Sequence, residues 1–150
     1  MNRETTRARS GLVDRAMSAL GAASATATRS LNRHAADFEI SDAKLELLAV
    51  LCSHEGDRCC LHELGDELGV TRPNVTKLVD GLEEGGLVER VAHPRDGRMV
   101  QATLTERGAE VARQALPGRR ERLEECWSAL DDSEIETLIL LLERIPPQPE

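Results

Sequence analysis

Apolar positions recur every three or four residues over most of the chain, which is the spacing of helices with one buried face. A first helix is expected over residues 12–38, with an Ala-rich stripe that allows close packing against another helix. We place any break in this helix at Ser24, Thr26 and Thr28, because hydroxyl side chains compete for backbone hydrogen bonds. Residues 1–10 are polar and are expected to fray.

A second helix begins near Ser41, a common N-cap residue. This helix is apolar on nearly all sides, so we expect it at the centre of the core. Two shorter helices follow over residues 61–68 and 71–84, with Gly69 in the turn between them. Together they have the pattern of a helix–turn–helix at about residues 61–84.

The segment after the helix–turn–helix is expected to form a β-hairpin, which we call the wing, at about residues 87–104. Two short runs of β-branched and long apolar residues flank a turn signal at residues 96–97. Thr105 then caps a further helix, which we expect Pro117 to kink or interrupt.

The last helix starts from a capping box at residues 131–134 and is expected to end at Pro146 and Pro147. The apolar stripes of the first and last helices have few partners in so small a core. We therefore expect an obligate homodimer, in which residues 12–38 and 106–145 supply the dimerisation helices.

Composition is that of one globular domain, with 150 residues of which 40% are hydrophobic and 31% charged. The 19 Lys and Arg against 27 Asp and Glu give a formal net charge of −8. The excess acid lies mainly outside residues 70–107, where six bases balance six acids. Net acidity therefore does not exclude a locally basic face.

Location and redox state follow from simple absences in the sequence. No apolar run approaches the ~20 residues of a membrane span. The first residues lack the apolar stretch of a signal peptide, so we expect a cytoplasmic protein with no membrane partner. In that compartment the four cysteines are expected to be reduced thiols.

The start of the second short helix carries side chains that bind phosphate or reach base edges. These candidates are Thr71, Arg72, Pro73, Asn74, Thr76 and Lys77. No acid lies between Glu67 and Asp80, so this stretch does not repel phosphate, and His62 faces the same partner from the preceding helix. The pattern predicts double-stranded DNA as the partner. A winged-helix module that binds protein instead of DNA stays open.

At this point the sequence resembles the MarR family of winged helix–turn–helix regulators over about residues 12–145. The most specific segments are residues 63–71, 75–83, 86–90, 96–98 and 104–108. The resemblance implies a mainly α (α+β winged-helix) fold, with a DNA-binding region flanked by N- and C-terminal dimerisation helices. It also implies a homodimeric repressor of a palindromic operator that a small-molecule effector releases.

The wing tip is basic. Arg98 suits a narrow and strongly negative minor groove, and Arg95 is expected to contact phosphate. We expect Asp96 to hold the Arg98 guanidinium through a charge-assisted hydrogen bond. The Asp-x-Arg motif of the resembled family implies these same roles.

Six possible metal ligands form a second conspicuous cluster within eleven residues. They are Cys52, His54, Glu55, Cys59, Cys60 and His62. Their spacing matches no closed zinc site, and we expect Cys52 to be a core residue of the second helix, so we predict no metal and no cofactor. A metal- or thiol-responsive regulator is the alternative. A metal-dependent enzyme would need a nucleophile–base pair that the sequence does not display, so we predict no enzymatic activity.

Arg33, His34 and Asp37 lie late in the first helix, near where the resembled family forms a ligand pocket. We take them as candidate effector contacts, with a solvated helix face as the alternative. Trp127, the single tryptophan, falls beside the stripe of the fifth helix. Packing in the dimer core is its first interpretation and pocket lining its second.

Overall fold

A computed structural model of the chain describes residues 3–145, with side chains described from residue 8 onward. The predicted helix end at Pro146 and Pro147 lies outside the described residues. The elements, in chain order, are α1 (Arg3–Ala36), α2 (Asp42–Ser53), β1 (Arg58–Cys60), α3 (Leu61–Leu68), α4 (Arg72–Glu84), β2 (Val88–Ala92), β3 (Val100–Leu104), α5 (Glu106–Trp127) and α6 (Asp132–Glu143). The expected mainly α, winged-helix fold class is confirmed.

Helix α2 is the centre of the core, as its sequence predicts. Leu45, Leu48 and Leu51 are fully buried, and the helix contacts α1, α3, α4, α5 and the sheet. Each such leucine contributes about 1.5–3 kcal/mol of hydrophobic stabilisation. Ser41 is the N-cap, and its side chain accepts a hydrogen bond from the Lys44 backbone N–H.

The sheet has three antiparallel strands in the order β1-β3-β2. Strands β2 and β3 are the two sides of the predicted wing. Strand β1 is an addition that sequence patterning missed, since three residues are too few to show an alternation of two. Cys59 of β1 and Arg90 of β2 both lie opposite Ala102 of β3, so the central strand joins the two edges.

Helix α1 runs unbroken, and two expectations about it are wrong. It begins at Arg3 rather than after residue 10, and it passes through Ser24, Thr26 and Thr28 without a break. Ala-rich sequence favours a long helix. The three hydroxyl residues are exposed, so they face water rather than a competing backbone partner.

Helix α5 also continues through Pro117, so the expected interruption is wrong. The adjacent Gly118 allows the His34 ring of α1 to pack closely against α5, because a Cβ at this position would lie 2.5 Å from His34 Cε1. The His34 Nε2–H donates to the carbonyl oxygen of Ala115 at 2.8 Å. Pro117 removes one backbone hydrogen-bond donor from α5. Helices α1 and α2 pack against the core side of α5 and stabilise it there.

Several large apolar side chains on α1 and α6 are exposed in the described part of the single chain. Leu12 and Leu140 are each 63% exposed, and α6 has no buried residue. The predicted capping box at the start of α6 is confirmed by reciprocal hydrogen bonds between Asp131 and Glu134, each 2.9 Å. Within residues 3–145, no helix is long and apolar enough to cross a membrane.

Candidate nucleic-acid interface

The turn between α3 and α4 fixes the angle at which α4 is presented. Gly69 ends α3 with φ of 63°, a left-handed conformation that costs glycine little. The Val70 N–H donates to the Gly65 carbonyl at 3.0 Å. Gly65 is buried, and a Cβ on it would lie 3.3 Å from Val75 Cγ2, so the two helices cross closely. This is the predicted helix–turn–helix, with Thr71 as the N-cap of α4.

The predicted DNA-contacting residues of α4 all lie on its outer surface. Exposed side chains there are those of Thr71, Arg72, Pro73, Asn74, Thr76 and Lys77. Val75, Val79 and Leu82 are buried on the opposite side, which orients the helix. Pro73 is tolerated because the first-turn N–H groups of a helix have no intrahelical acceptor. The role of the six residues as DNA contacts stays a prediction.

Arg90 of β2 connects the wing to the end of α4, and sequence reasoning missed this role. Its guanidinium forms ion pairs with Asp80 and Glu83, the first two acids on α4. Its backbone N–H also donates to Glu83 Oε1 at 3.2 Å. The pairing offsets two negative charges on α4 and ties that helix to the sheet. Only the seven-residue separation of Glu83 and Arg90, between a helix and a following strand, hints at it in the sequence.

The wing tip is held by one imidazole. His93 Nδ1 accepts hydrogen bonds from the backbone N–H groups of Arg95 and Asp96, each at 3.2 Å. The loop closes where the His93 N–H donates to Met99 O and the Met99 N–H donates to Asp96 O, both at 3.0 Å. The side chains of Arg95 and Arg98 are exposed. The tip therefore presents two cations on an ordered backbone.

The expected contact between Asp96 and the Arg98 guanidinium is wrong. Asp96 Oδ1 accepts instead from the backbone N–H of Arg98, at 3.0 Å. A short Asp side chain reaches the backbone two residues later most easily, as in an Asx turn. Asp96 therefore sets the path of the wing backbone rather than the direction of the guanidinium.

An open cleft of about 320 Å³ lies between helices α3 and α4 and the tip end of the wing. It is lined by Leu61, His62, Arg72, Thr76, Arg98, Met99 and Val100. The structure thus brings His62 and Arg98 next to two of the predicted α4 contacts. Three separate segments of sequence form one surface rich in hydrogen-bond donors.

The Cys/His cluster divides in the folded chain. Cys52 is exposed on α2, so the expectation of a core residue is wrong: the apolar surroundings of Cys52 in the sequence conceal its outward position. Cys59 and Cys60 are buried. Burial first, and then hydrogen bonding to Glu63, raises the pKa of the Cys59 thiol to about 12. The Cys60 backbone N–H, which donates to Glu63, lowers the pKa of that carboxyl.

The three candidate effector contacts do not form one cluster of side chains. Arg33 and Asp37 are exposed, whereas His34 is half-buried between α1 and α5. The His34 ring also meets the Phe38 ring edge-on, with centroids 5.5 Å apart. Only His34 therefore lies at the junction of these helices, and an effector role for the three stays a prediction.

The chain is similar to known proteins in both sequence and structure. The model of the MarR family matches residues 38–99. The transcriptional repressor MprA of Escherichia coli strain K12 is 35% identical over 99 residues, which are 66% of this chain and 56% of MprA. The chain thus spans little more than half the length of that relative. The HTH-type transcriptional regulator MhqR of Bacillus subtilis is 29% identical over 77% of this chain and 78% of MhqR.

Solved structures share the fold over most of the chain. Sco3205, a MarR family transcriptional regulator from Streptomyces coelicolor determined in complex with DNA, has a TM-score of 0.81. It is 26% identical, and the alignment covers 92% of this chain and 86% of Sco3205. A mutant of Escherichia coli MarR complexed with operator DNA has a TM-score of 0.73 and 27% identity, covering 85% of this chain and 91% of MarR. From the winged helix–turn–helix and these matches, we conclude that residues 38–99 match the MarR family and that the chain shares the fold of MarR family structures.

Proposed function

We propose that this protein is a homodimeric DNA-binding transcriptional regulator that represses genes by occupying a palindromic operator. The observation that carries the proposal is the shared cleft in which His62, Arg72, Thr76 and Arg98 meet. These side chains come from α3, α4 and the wing, so one surface offers donors to base edges and to phosphates together. Two solved structures of similar proteins, each determined in complex with DNA, support the same function.

In this proposal α4 enters the major groove and the wing tip lies over the adjacent minor groove. Asn74 and Arg72 are on the first turn of α4, where a recognition helix reads base edges. Arg98 extends from the tip towards the minor groove, whose negative potential is greatest where it is narrow. The Arg90 ion pairs keep α4 and the wing in one orientation, so both contacts form at once.

A second copy of the chain is the proposed cover for the apolar surface of α1 and α6. Between α5 and α6 lies an open apolar groove of about 530 Å³, lined in part by Trp127, Leu130, Ile139 and Leu142. Trp127 is 40% exposed there, which supports a place in the dimer contact. Two-fold symmetry then sets the two α4 helices to read half-sites about one DNA turn apart, roughly 34 Å.

The proposed effector is a small molecule that binds where the dimerisation helices meet the DNA-binding region. His34 supports this location, since its ring lies between α1 and the middle of α5. A ligand that separated α1 from α5 would change the spacing of the two recognition helices and so lower DNA affinity. In this proposal Arg33 and Asp37, both exposed and close to His34 in sequence, contact a polar part of the molecule.

We also propose that the protein has no catalytic activity and works in the cytoplasm. Its relatives carry the names of transcriptional regulators, which favours binding over catalysis.

The proposal is tested by measuring fluorescence anisotropy with duplex DNA from the region upstream of the protein's own gene, over a series of salt concentrations. We expect saturable binding with a steep salt dependence. Each protomer offers four candidate cations to the DNA, which are Arg72, Lys77, Arg95 and Arg98. A plot of log affinity against log salt concentration is then expected to have a slope of about −7 for the dimer. Arg72→Ala is expected to weaken binding and reduce that slope.

Arg113→Ala is the matched control, because Arg113 is also an exposed arginine but lies on α5. It is expected to leave both affinity and slope unchanged. No retention of duplex DNA, or binding that salt does not weaken, would contradict DNA recognition and favour a winged-helix module that binds protein. Equal losses in both variants would show that the effect is general charge rather than the α4 surface.

A further inference from the structure

A histidine, a cysteine and a glutamate, which are three common metal ligands, lie close together beside the helix–turn–helix. His54 follows the C-terminus of α2, Cys59 is in β1, and Glu67 is on the last turn of α3. One ligand atom from each lies within 4.8 Å of the other two. His54 Nε2 and Glu67 Oε1 are 2.7 Å apart. We propose that His54, Cys59 and Glu67 form a Zn²⁺ site.

The distances fit a single small ion after modest side-chain movement. Zinc binds sulfur at about 2.3 Å and nitrogen or oxygen at about 2.0–2.2 Å, so two tetrahedral ligands lie roughly 3.3–3.8 Å apart. The widest pair therefore has to close by about 1 Å. His54 and Glu67 can rotate to do so, because their side chains are 30% and 44% exposed. Cys59 is buried and supplies the fixed ligand.

The donor set also matches the ion. Thiolate, imidazole and carboxylate together are the ligands that borderline-soft Zn²⁺ accepts. On binding, the Cys59 thiol loses its proton to solvent and the sulfur bonds to the metal. The hydrogen bond between His54 Nε2 and Glu67 Oε1 breaks, and the two atoms move from 2.7 Å to about 3.3 Å apart. The neutral imidazole then binds through Nε2 with its one proton on Nδ1, and the charges of thiolate and Glu67 carboxylate balance the dication. Glu63 Oε2 is 3.5 Å from Cys59 Sγ, so this carboxylate or a water completes the fourth position.

The site contains none of the proposed DNA contacts, but it lies next to the elements that position them. Cys59 pairs with Ala102 of β3, the strand that leads from the wing. Glu67 lies two residues before Gly69, the turn into α4. An ion there ties α2, the sheet and α3 to one another. Zinc is therefore expected to stabilise the fold by mass action.

The experiment is a titration of the reduced, metal-free full chain with Co²⁺, which reports thiolate ligation by a ligand-to-metal charge-transfer band. We expect a saturable band with a stoichiometry of one Co²⁺ per protomer, which Zn²⁺ then displaces. Glu67→Ala and His54→Ala are expected to weaken Co²⁺ binding by about tenfold or more. Circular dichroism of each variant checks that the helices persist.

Matched controls separate this site from general metal binding. Asp66→Ala removes a neighbouring acid on α3, His62→Ala a histidine in the DNA-facing cleft, and Cys52→Ser an exposed thiol. All three are expected to keep the band and the affinity of the unaltered protein. Absence of the band in the unaltered protein, undiminished Co²⁺ affinity in both folded ligand variants, or loss of the band in Cys52→Ser would overturn the assignment. The readout involves no DNA, so it is independent of the proposed function.

Discussion

A mostly buried ion pair joins α2 to α5 and offers a sharp test of how the DNA-binding region is attached to the terminal helices. Arg119 Nε lies 2.7 Å from Asp42 Oδ1 and Nη2 lies 3.3 Å from Oδ2. The two side chains are only 14% and 12% exposed. The Asp42 backbone N–H donates to Asn32 Oδ1 of α1 at 2.9 Å, so three helices meet at this point.

Arg119→Met keeps much of the apolar stem of the side chain but leaves the Asp42 carboxylate without its two donors. Removing one partner of a fully buried pair costs about 3–5 kcal/mol. Since some surface of both side chains reaches water, we expect about 3 kcal/mol. With a urea m-value of about 2 kcal/mol/M, the denaturation midpoint falls by roughly 1.5 M. All variants are compared at one protomer concentration, because dimerisation shifts apparent stability.

The double variant Asp42→Leu, Arg119→Met removes both charges and is expected to recover to within about 1 kcal/mol of the unaltered protein. Arg113→Met is the control, because its pair with Glu110 is exposed, and its urea midpoint is expected not to move. A midpoint for Arg119→Met within about 0.3 M of the unaltered protein would refute the reasoning. Additive losses in the double variant would refute it equally.

Three further outcomes are expected. Arg98→Ala lowers the log–log salt slope of DNA binding by about 2 per dimer and leaves base preference unchanged. Asn74→Ala instead weakens the binding free energy by about 1–3 kcal/mol at one base position in each half-site. Binding of both variants to an operator library at several salt concentrations measures these effects. At pH 8 iodoacetamide modifies exposed Cys126 but spares Cys59, whose pKa of about 12 leaves roughly one thiol in 10,000 ionised, as peptide mass mapping will show. Leu142→Glu places a charge in the apolar groove, and sedimentation is expected to give a 16.5 kDa monomer or an unfolded chain.

Local features of this fold could be predicted from the sequence because their causes lie within a few residues of one another. The caps at Ser41, Thr105 and Asp131 are where the structure has them, since each side chain accepts from the N–H three residues later. Gly69 has positive φ, which fits the turn expected between the two short helices. The outward positions of α4 follow in the same way from helical periodicity.

Local signals were misleading where packing compensated for them. Pro117 predicts a break, but α5 continues through it, packed against α1 and α2. Asp96 and Arg98 have the spacing of an ion pair, yet the turn brings a backbone N–H to the carboxylate first. Spacing along the chain does not say which of two donors the fold will place nearer.

Only the tertiary structure decided the contacts between residues distant in sequence. Strand β1 exists because β3, more than 40 residues later, supplies its hydrogen-bond partners. The Arg90 ion pairs depend on the wing folding back against α4. Among six candidate ligands close together in sequence, folding turns Cys52 outward and joins His54 and Cys59 to Glu67, which composition had not singled out. A sequence lists such side chains in order, but the crossing of helices and the pairing of strands determine which of them meet.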